Sequence, residues 1–224
     1  MTFLELVKSL RQESGIPGTG PDTVVDQTGQ LKRLVDWTAR SWLDIQGMHD
    51  DWKFLRGSFS VDVAAATASV TPAAAGITDF RAWREKTIRT YQTTIGVYDE
   101  QWLTEWDYDV FRDTYRFGQQ TPGRPFIYAQ NPSDFALLLG PVPDVGYTIT
   151  GEYFKTPVKL AADADVPAID ENLHMLIVWH ALKKYARFEA APESLVQANS
   201  EYGTLMPQME RKYAPDVTLG NPLA

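Results

Sequence analysis

The sequence predicts an α+β fold, with a helical bundle formed by the N- and C-terminal helices and an inserted antiparallel β lobe. Three observations carry this prediction. Apolar residues recur every three to four positions near both ends of the chain, alternate with polar residues through the middle, and are separated by stretches rich in Gly and Pro. Helices so far apart in sequence must pack on one another to bury their stripes, so the strands between them grow out as an insertion. The expected organisation is one α+β domain over 1–213, with the β insertion over 54–160 and an extended tail over 214–224.

The first helix is expected over 2–14, where Phe3, Leu6, Val7 and Leu10 share a face, and the segment 15–21 (GIPGTGP) ends it. The second covers 27–48. Leu31, Leu34, Val35, Thr38, Trp42 and Ile45 line one side, while Lys32, Arg33, Asp36, Arg40 and Asp44 keep the other wet. From Phe54 the period falls to two: Phe59, Val61 and Val63 alternate with Ser58, Ser60 and Asp62. Small residues up to Ala75 suggest a hairpin or loop. Further strands are expected at 87–91, 124–129, 134–139 and 146–154, with a turn at 131–134 between the second and third.

One helix is expected within the β insertion, over 100–116. Asp99 would cap it, Leu103, Trp106, Val110 and Phe111 would form its stripe, and Gly118 lies just past its end. Arg112 and Arg116 fall in or near its last turn, where the dipole favours cations. A helix over 170–189, capped by Asp170, is apolar nearly all round at 175–179 (MLIVW) and should be central. The last helix, 193–213, is opened by Pro192. Leu195, Ala198, Tyr202, Leu205, Met209 and Tyr213 form its stripe, and Pro207 within it predicts a kink.

Bulk properties remove whole classes of function. The 224 residues are 44% hydrophobic, enough to fill a core, and carry a net charge of −8 from 29 acidic and 21 basic residues. Wrapping nucleic acid requires clustered Lys and Arg, which an acidic chain does not favour. Without cysteine there can be no disulfide, thiolate nucleophile or zinc–sulfur site. The first 13 residues scatter charges among their apolar residues, unlike a secretory signal, and no apolar run reaches the roughly 20 residues of a membrane span. The chain reads as a soluble protein made in a cytosol.

Four clusters invite a chemical reading. His49-Asp50-Asp51 joins a base to two acids, but adjacent side chains rarely face one another, and Trp52 and Phe54 beside it read as packing anchors. His174 and His180 are six positions apart, about 600° around a helix, so they cannot share a metal. Asp163, Asp165 and the following Asp170 and Glu171 hint at a calcium loop, but Pro167 holds the fifth position and no glycine the sixth. The acidic and aromatic run 99–109 (DEQWLTEWDYD) has the composition of a glycan-binding or glycan-cleaving module through Trp102 and Trp106. Read as a helix, however, it buries Trp106 and leaves Glu105 and Asp109 on a solvent face. No nucleophile elbow, P-loop or dinucleotide fingerprint is present, and no catalytic residue, metal ligand or cofactor is assigned.

Taken together, 1–16 (MTFLELVKSLRQESGI), 34–46 (LVDWTARSWLDIQ), 51–57 (DWKFLRG) and 180–189 (HALKKYARFE) resemble the head-to-tail adaptor, or head–tail connector, proteins of tailed bacteriophages. The likeness spans nearly the whole chain and lies in the order of elements and packing residues. It implies a non-enzymatic virion protein of the neck, between head and tail, forming a ring, typically twelvefold, beneath the portal protein. Such a ring would extend the DNA channel, let double-stranded DNA pass without specific binding, and offer a platform to tail or nozzle proteins. The corner at 42–61 would then fix the angle between bundle and β lobe. Glu105, Asp109, Asp163 and Asp165 are candidates for acidic groups lining the channel, and Asp216, Val217, Leu219, Pro222 and Leu223 for contacts to a partner. The alternatives are a tail terminator, stopper or tail-tube protein and, in another class, the glycan-directed module.

Overall fold

The computed structural model describes residues 1–215, which divide into two compact units: residues 1–54 with those from Pro157 onward, and residues 55–156. The fold is α+β, with helices and mainly antiparallel sheets.

The first unit is a helical bundle. Helix α1 (Phe3–Glu13) starts at a capping box: Thr2 Oγ1 accepts from the Glu5 N–H at 3.3 Å, and Glu5 Oε2 accepts from the Thr2 N–H at 2.7 Å. These bonds also hold the Glu5 carboxyl below its ordinary pKa. Phe3, Leu6, Val7 and Leu10 are buried, as the stripe requires. Helix α2 (Gly29–Gln46) buries Leu34, Thr38, Trp42 and Ile45 on one face. The Gln46 side chain then joins it to the returning chain, donating to the Val158 carbonyl at 3.0 Å and accepting from its N–H at 3.1 Å.

Helix α4 (Met175–Phe188) packs against α1, α2 and α5 (Pro192–Tyr213) and so occupies the centre. Leu176, Ile177, Val178, Ala181 and Leu182 are sealed from solvent, each of the larger ones contributing about 1.5–3 kcal/mol of transfer free energy. Asp170 does not cap α4. A short 3₁₀ turn (Glu171–Leu173) precedes the helix, and the Asp170 carboxylate instead accepts from Tyr213 Oη at 2.7 Å and pairs with Lys212, both from the end of α5. Helix α5 continues through Pro207 as one element and buries Ala198, Met206 and Met209.

The second unit holds two sheets. One runs β1 (Arg56–Val63), β9 (Tyr147–Lys155), β4 (Arg89–Gln92), β5 (Gln101–Trp102), with β3 (Phe80–Trp83) also paired to β9. The other runs β2 (Ser69–Val70), β8 (Leu137–Gly140), β7 (Ile127–Gln130), β6 (Thr104–Glu105); of all these pairings only β6 with β7 is parallel. Both sheets feed one core, which includes Phe59, Trp83, Ile88, Leu103, Tyr128, Leu139 and Ile149. Gly151 lies at a tight point of this core: a Cβ there would stand 2.6 Å from Ile88 Cδ1 and 3.3 Å from the Ile88 backbone.

The helix expected over 100–116 is corrected by the structure. Gln101–Trp102 pairs with β4, Thr104–Glu105 with β7, and the Leu103 N–H donates to the Ile88 carbonyl at 3.0 Å. Helix α3 begins only at Tyr108 (Tyr108–Phe111) and runs into a π turn (Arg112–Arg116). Its cap is Asp107, which accepts from the Asp109 and Val110 N–H groups, and not Asp99. Val110, assigned to the stripe, is 54% exposed. Around Leu103 the apolar spacing suits either period, and partners supplied by β4 and β7 decide for strands. Strand β3 was not foreseen; a register shift between Phe80 and Ala82 breaks its alternation.

Candidate assembly surfaces

At 49–54 the polar residues stand on an aromatic stack. Trp52 is fully buried and donates from Nε1 to the Ile45 carbonyl at 3.1 Å, a second hydrogen bond on an acceptor that the Met48 N–H also reaches at 3.3 Å at the end of α2. The Phe54 ring stacks between Trp42 and Trp52 at 5.7 and 5.6 Å, and Tyr213 meets Phe54 edge-on at 5.4 Å. His49 lies edge-on to Trp52 at 4.5 Å, half-exposed, with Nε2 3.8 Å from Glu210 Oε1. These rings join the exit of α2 to the end of α5.

The other two histidines are held apart. His174 is buried; Nε2 lies 3.0 Å from the Ile169 carbonyl and Nδ1 2.9 Å from the N-terminal amine, and burial lowers its pKa. His180 rests against Tyr202, and burial, with Lys184 nearby, lowers its pKa to about 4. Asp163 and Asp165 serve the backbone. Asp163 Oδ1 accepts from the Val24 N–H at 2.6 Å, and Asp165 Oδ2 from the N–H groups of Ala161 and Ala162 at 2.7 and 2.8 Å, which holds the Asp165 carboxyl below its ordinary range. Among the described residues no three His, Asp or Glu side chains converge on a metal position.

Along 99–109 each carboxylate has its own partner. Asp99 accepts from Arg124 Nη1 at 2.7 Å and from the Gln92 N–H at 2.9 Å, and these bonds lower its pKa. Glu100 pairs with Arg89 at 2.9 Å, and Glu105 accepts from Tyr128 Oη at 3.0 Å and Gln130 Nε2 at 2.9 Å. Asp109, largely exposed, pairs with Arg112 at 2.8 Å. Trp106 packs with Tyr108 and Tyr115 on the small core of Phe111, Ile127, Ala129 and Leu138. Trp102 is 62% exposed, with the Arg89 guanidinium 5.1 Å from its ring, and lines a groove of about 380 Å³ with Lys86, Leu103, Thr104 and Glu105.

The sequence reading missed a neighbouring feature, the tip of the β4–β5 hairpin, 93–98 (TTIGVY). Ile95, Val97 and Tyr98 are bare, Tyr98 at 97% exposure, on a loop braced by the Arg124–Asp99 pair and by an Arg124 bond to the Asp99 carbonyl at 2.6 Å. The signal available in the sequence was six successive uncharged residues between strand patterns. Asp216, Val217, Leu219, Pro222 and Leu223 lie outside the described residues.

The carboxylates of the run 99–109 are thus matched one by one to their own hydrogen-bond donors, and apolar side chains are held out on a braced loop beside them. A family model described as SU10 adaptor protein matches residues 1–221. The chain belongs to this family of phage head-to-tail adaptors, and its role is that of a structural phage protein. No curated protein matches the chain. Among the described residues no helix is long and apolar enough to cross a membrane.

Proposed function

We propose that this chain forms a ring, twelvefold in the expected case, beneath the portal in the virion neck, extending the DNA channel and presenting a platform to tail or nozzle proteins. The observation that carries the reading is the family match over 1–221, an assembly family matched along nearly the whole chain. Charge supports the channel role. A chain of net −8 repels phosphate, so double-stranded DNA slides through without being held. Asp109, Glu105, Asp163 and Asp165 are the acidic groups proposed to face it. Of these, Asp165 is held below its ordinary pKa by the N–H groups of Ala161 and Ala162. Residues Asp216, Val217, Leu219, Pro222 and Leu223 are proposed to dock on a neighbour or on the portal.

Electron microscopy of the chain mixed with its portal protein tests the assembly directly. Rings seated on the portal are expected; a chain that stays monomeric beside intact portal sinks the reading. Deleting 214–224 should weaken portal pull-down if the tail docks on the portal, and unchanged capture would remove that docking.

A further inference from the structure

Strand β1 forms one edge of its sheet. Its eight residues pair with β9 in unbroken register, with neither proline nor bulge, and among the described residues no strand pairs with its other side. Long, regular edges of this kind are ordinarily blunted, because a row of free peptide groups recruits another strand.

The register shows which groups are free. The Glu152 carbonyl accepts from the Arg84 N–H at 2.9 Å, and its N–H donates to Thr87 Oγ1 at 3.1 Å, so both point away from β1. Residues opposite one another in an antiparallel ladder exchange both hydrogen bonds or neither. Ser58, opposite Glu152, therefore aims its N–H and C=O outward, and by alternation so do Ser60 and Asp62. That makes three donors and three acceptors, about 6.8 Å apart in successive pairs, on three exposed residues. The Asp62 carboxylate does not guard the edge; it accepts from Thr148 Oγ1 at 2.7 Å, back over the sheet.

We propose that this edge receives residues 216–221 of a second copy of the chain, added as a strand. The sequence continues for nine residues past Pro215, a reach of about 30 Å. Pro215 and Pro222 have no N–H to give a ladder and bracket six residues that can join one. Val217 and Leu219 stand two apart, as do Phe59, Val61 and Val63. Pairing extends that apolar face and sets Thr218 and Gly220 beside the serines. Each copy gives one segment and receives one, a head-to-tail contact of the kind that closes a ring. The inference rests on the ring reading above and supplies its linkage.

The absence of cysteine allows a clean test by disulfide trapping. Full-length Ser60→Cys and full-length Thr218→Cys chains are mixed with the portal under mild oxidation and run on a non-reducing gel, with part of each sample imaged. A covalent heterodimer is expected. It should be absent when Ser200→Cys, on the exposed side of α5, replaces Ser60→Cys, and about tenfold weaker when Ser58→Pro is added, which removes one outward N–H and leaves the β1–β9 ladder intact. Rings without heterodimer overturn the edge contact and leave the ring reading standing. Heterodimer without rings supports the contact and sinks the ring. Neither product sinks both. Equal trapping at Ser200→Cys, or a purely intrachain bridge in the Ser60→Cys/Thr218→Cys double variant, also overturns the proposal.

Discussion

Trp52 is the side chain on which the exit of α2 depends, and two substitutions separate what it contributes. Its indole is fully buried, stacked on Phe54 and met edge-on by His49, with Nε1 donating to the Ile45 carbonyl at 3.1 Å. A buried Trp removes about 150–250 Å² from water. At about 25 cal/mol per Å² this amounts to about 4–6 kcal/mol, close to the 3–5 kcal/mol typical of Trp→Ala changes. Trp52→Phe keeps most of that area but removes one of the hydrogen bonds to the Ile45 carbonyl, leaving the Met48 N–H at 3.3 Å, at a cost of about 0.5–1.5 kcal/mol. Trp52→Ala should therefore lower the melting temperature by roughly 6–20 °C, and Trp52→Phe by roughly a third of that. Thermal melts followed by far-ultraviolet circular dichroism, with urea unfolding as a second measure, read both effects. Equal losses in the two variants would refute the division between area and hydrogen bond. A loss below about 1 kcal/mol for Trp52→Ala would refute the burial argument itself.

Three further outcomes follow from the structure. His180, held near a pKa of 4 against an ordinary 6.5, is neutral in the folded protein and takes up its proton more readily when unfolded. Its contribution is therefore complete above about pH 6.5 and lost as pH falls toward 4: about 3 kcal/mol for the full shift, about 1–2 after allowing for partial exposure. Melting temperatures taken from about pH 7 to about pH 5 should fall less steeply in His180→Asn, and an unchanged slope would remove this account. Gly151→Ala should cost about 1–3 kcal/mol, because the added methyl meets Ile88 side chain and backbone together. In contrast, Gly203→Ala, on α5 with nothing within 4 Å of the new Cβ, should stabilise by about 0.4–1 kcal/mol; a lower melting temperature for Gly203→Ala would refute the helix argument, and an unchanged or higher one for Gly151→Ala the packing argument.

The helices were readable because each carries its own evidence. In α1 and α2 the stripe that will be buried is spelled out in consecutive turns, and the observed ends fall within two residues of those expected. Strands depend on partners. Nothing near Phe80 in the sequence says that β9 will accept it, and nothing near Ser58 says that one side of β1 will be left without a neighbour, since that depends on where the sheet ends. The run 99–109 shows the same limit in its chemistry. Two carboxylates act as an acid and base pair when their surroundings push their pKa values apart, and a donor or cation bound to each works against that. Asp99 meets Arg124, Glu100 meets Arg89, and Glu105 meets Tyr128 and Gln130, all partners 11 to 25 residues away. A cluster that looks reactive when read along the chain is taken apart when the chain folds. What it leaves is a set of fixed charges beside the braced apolar loop 93–98.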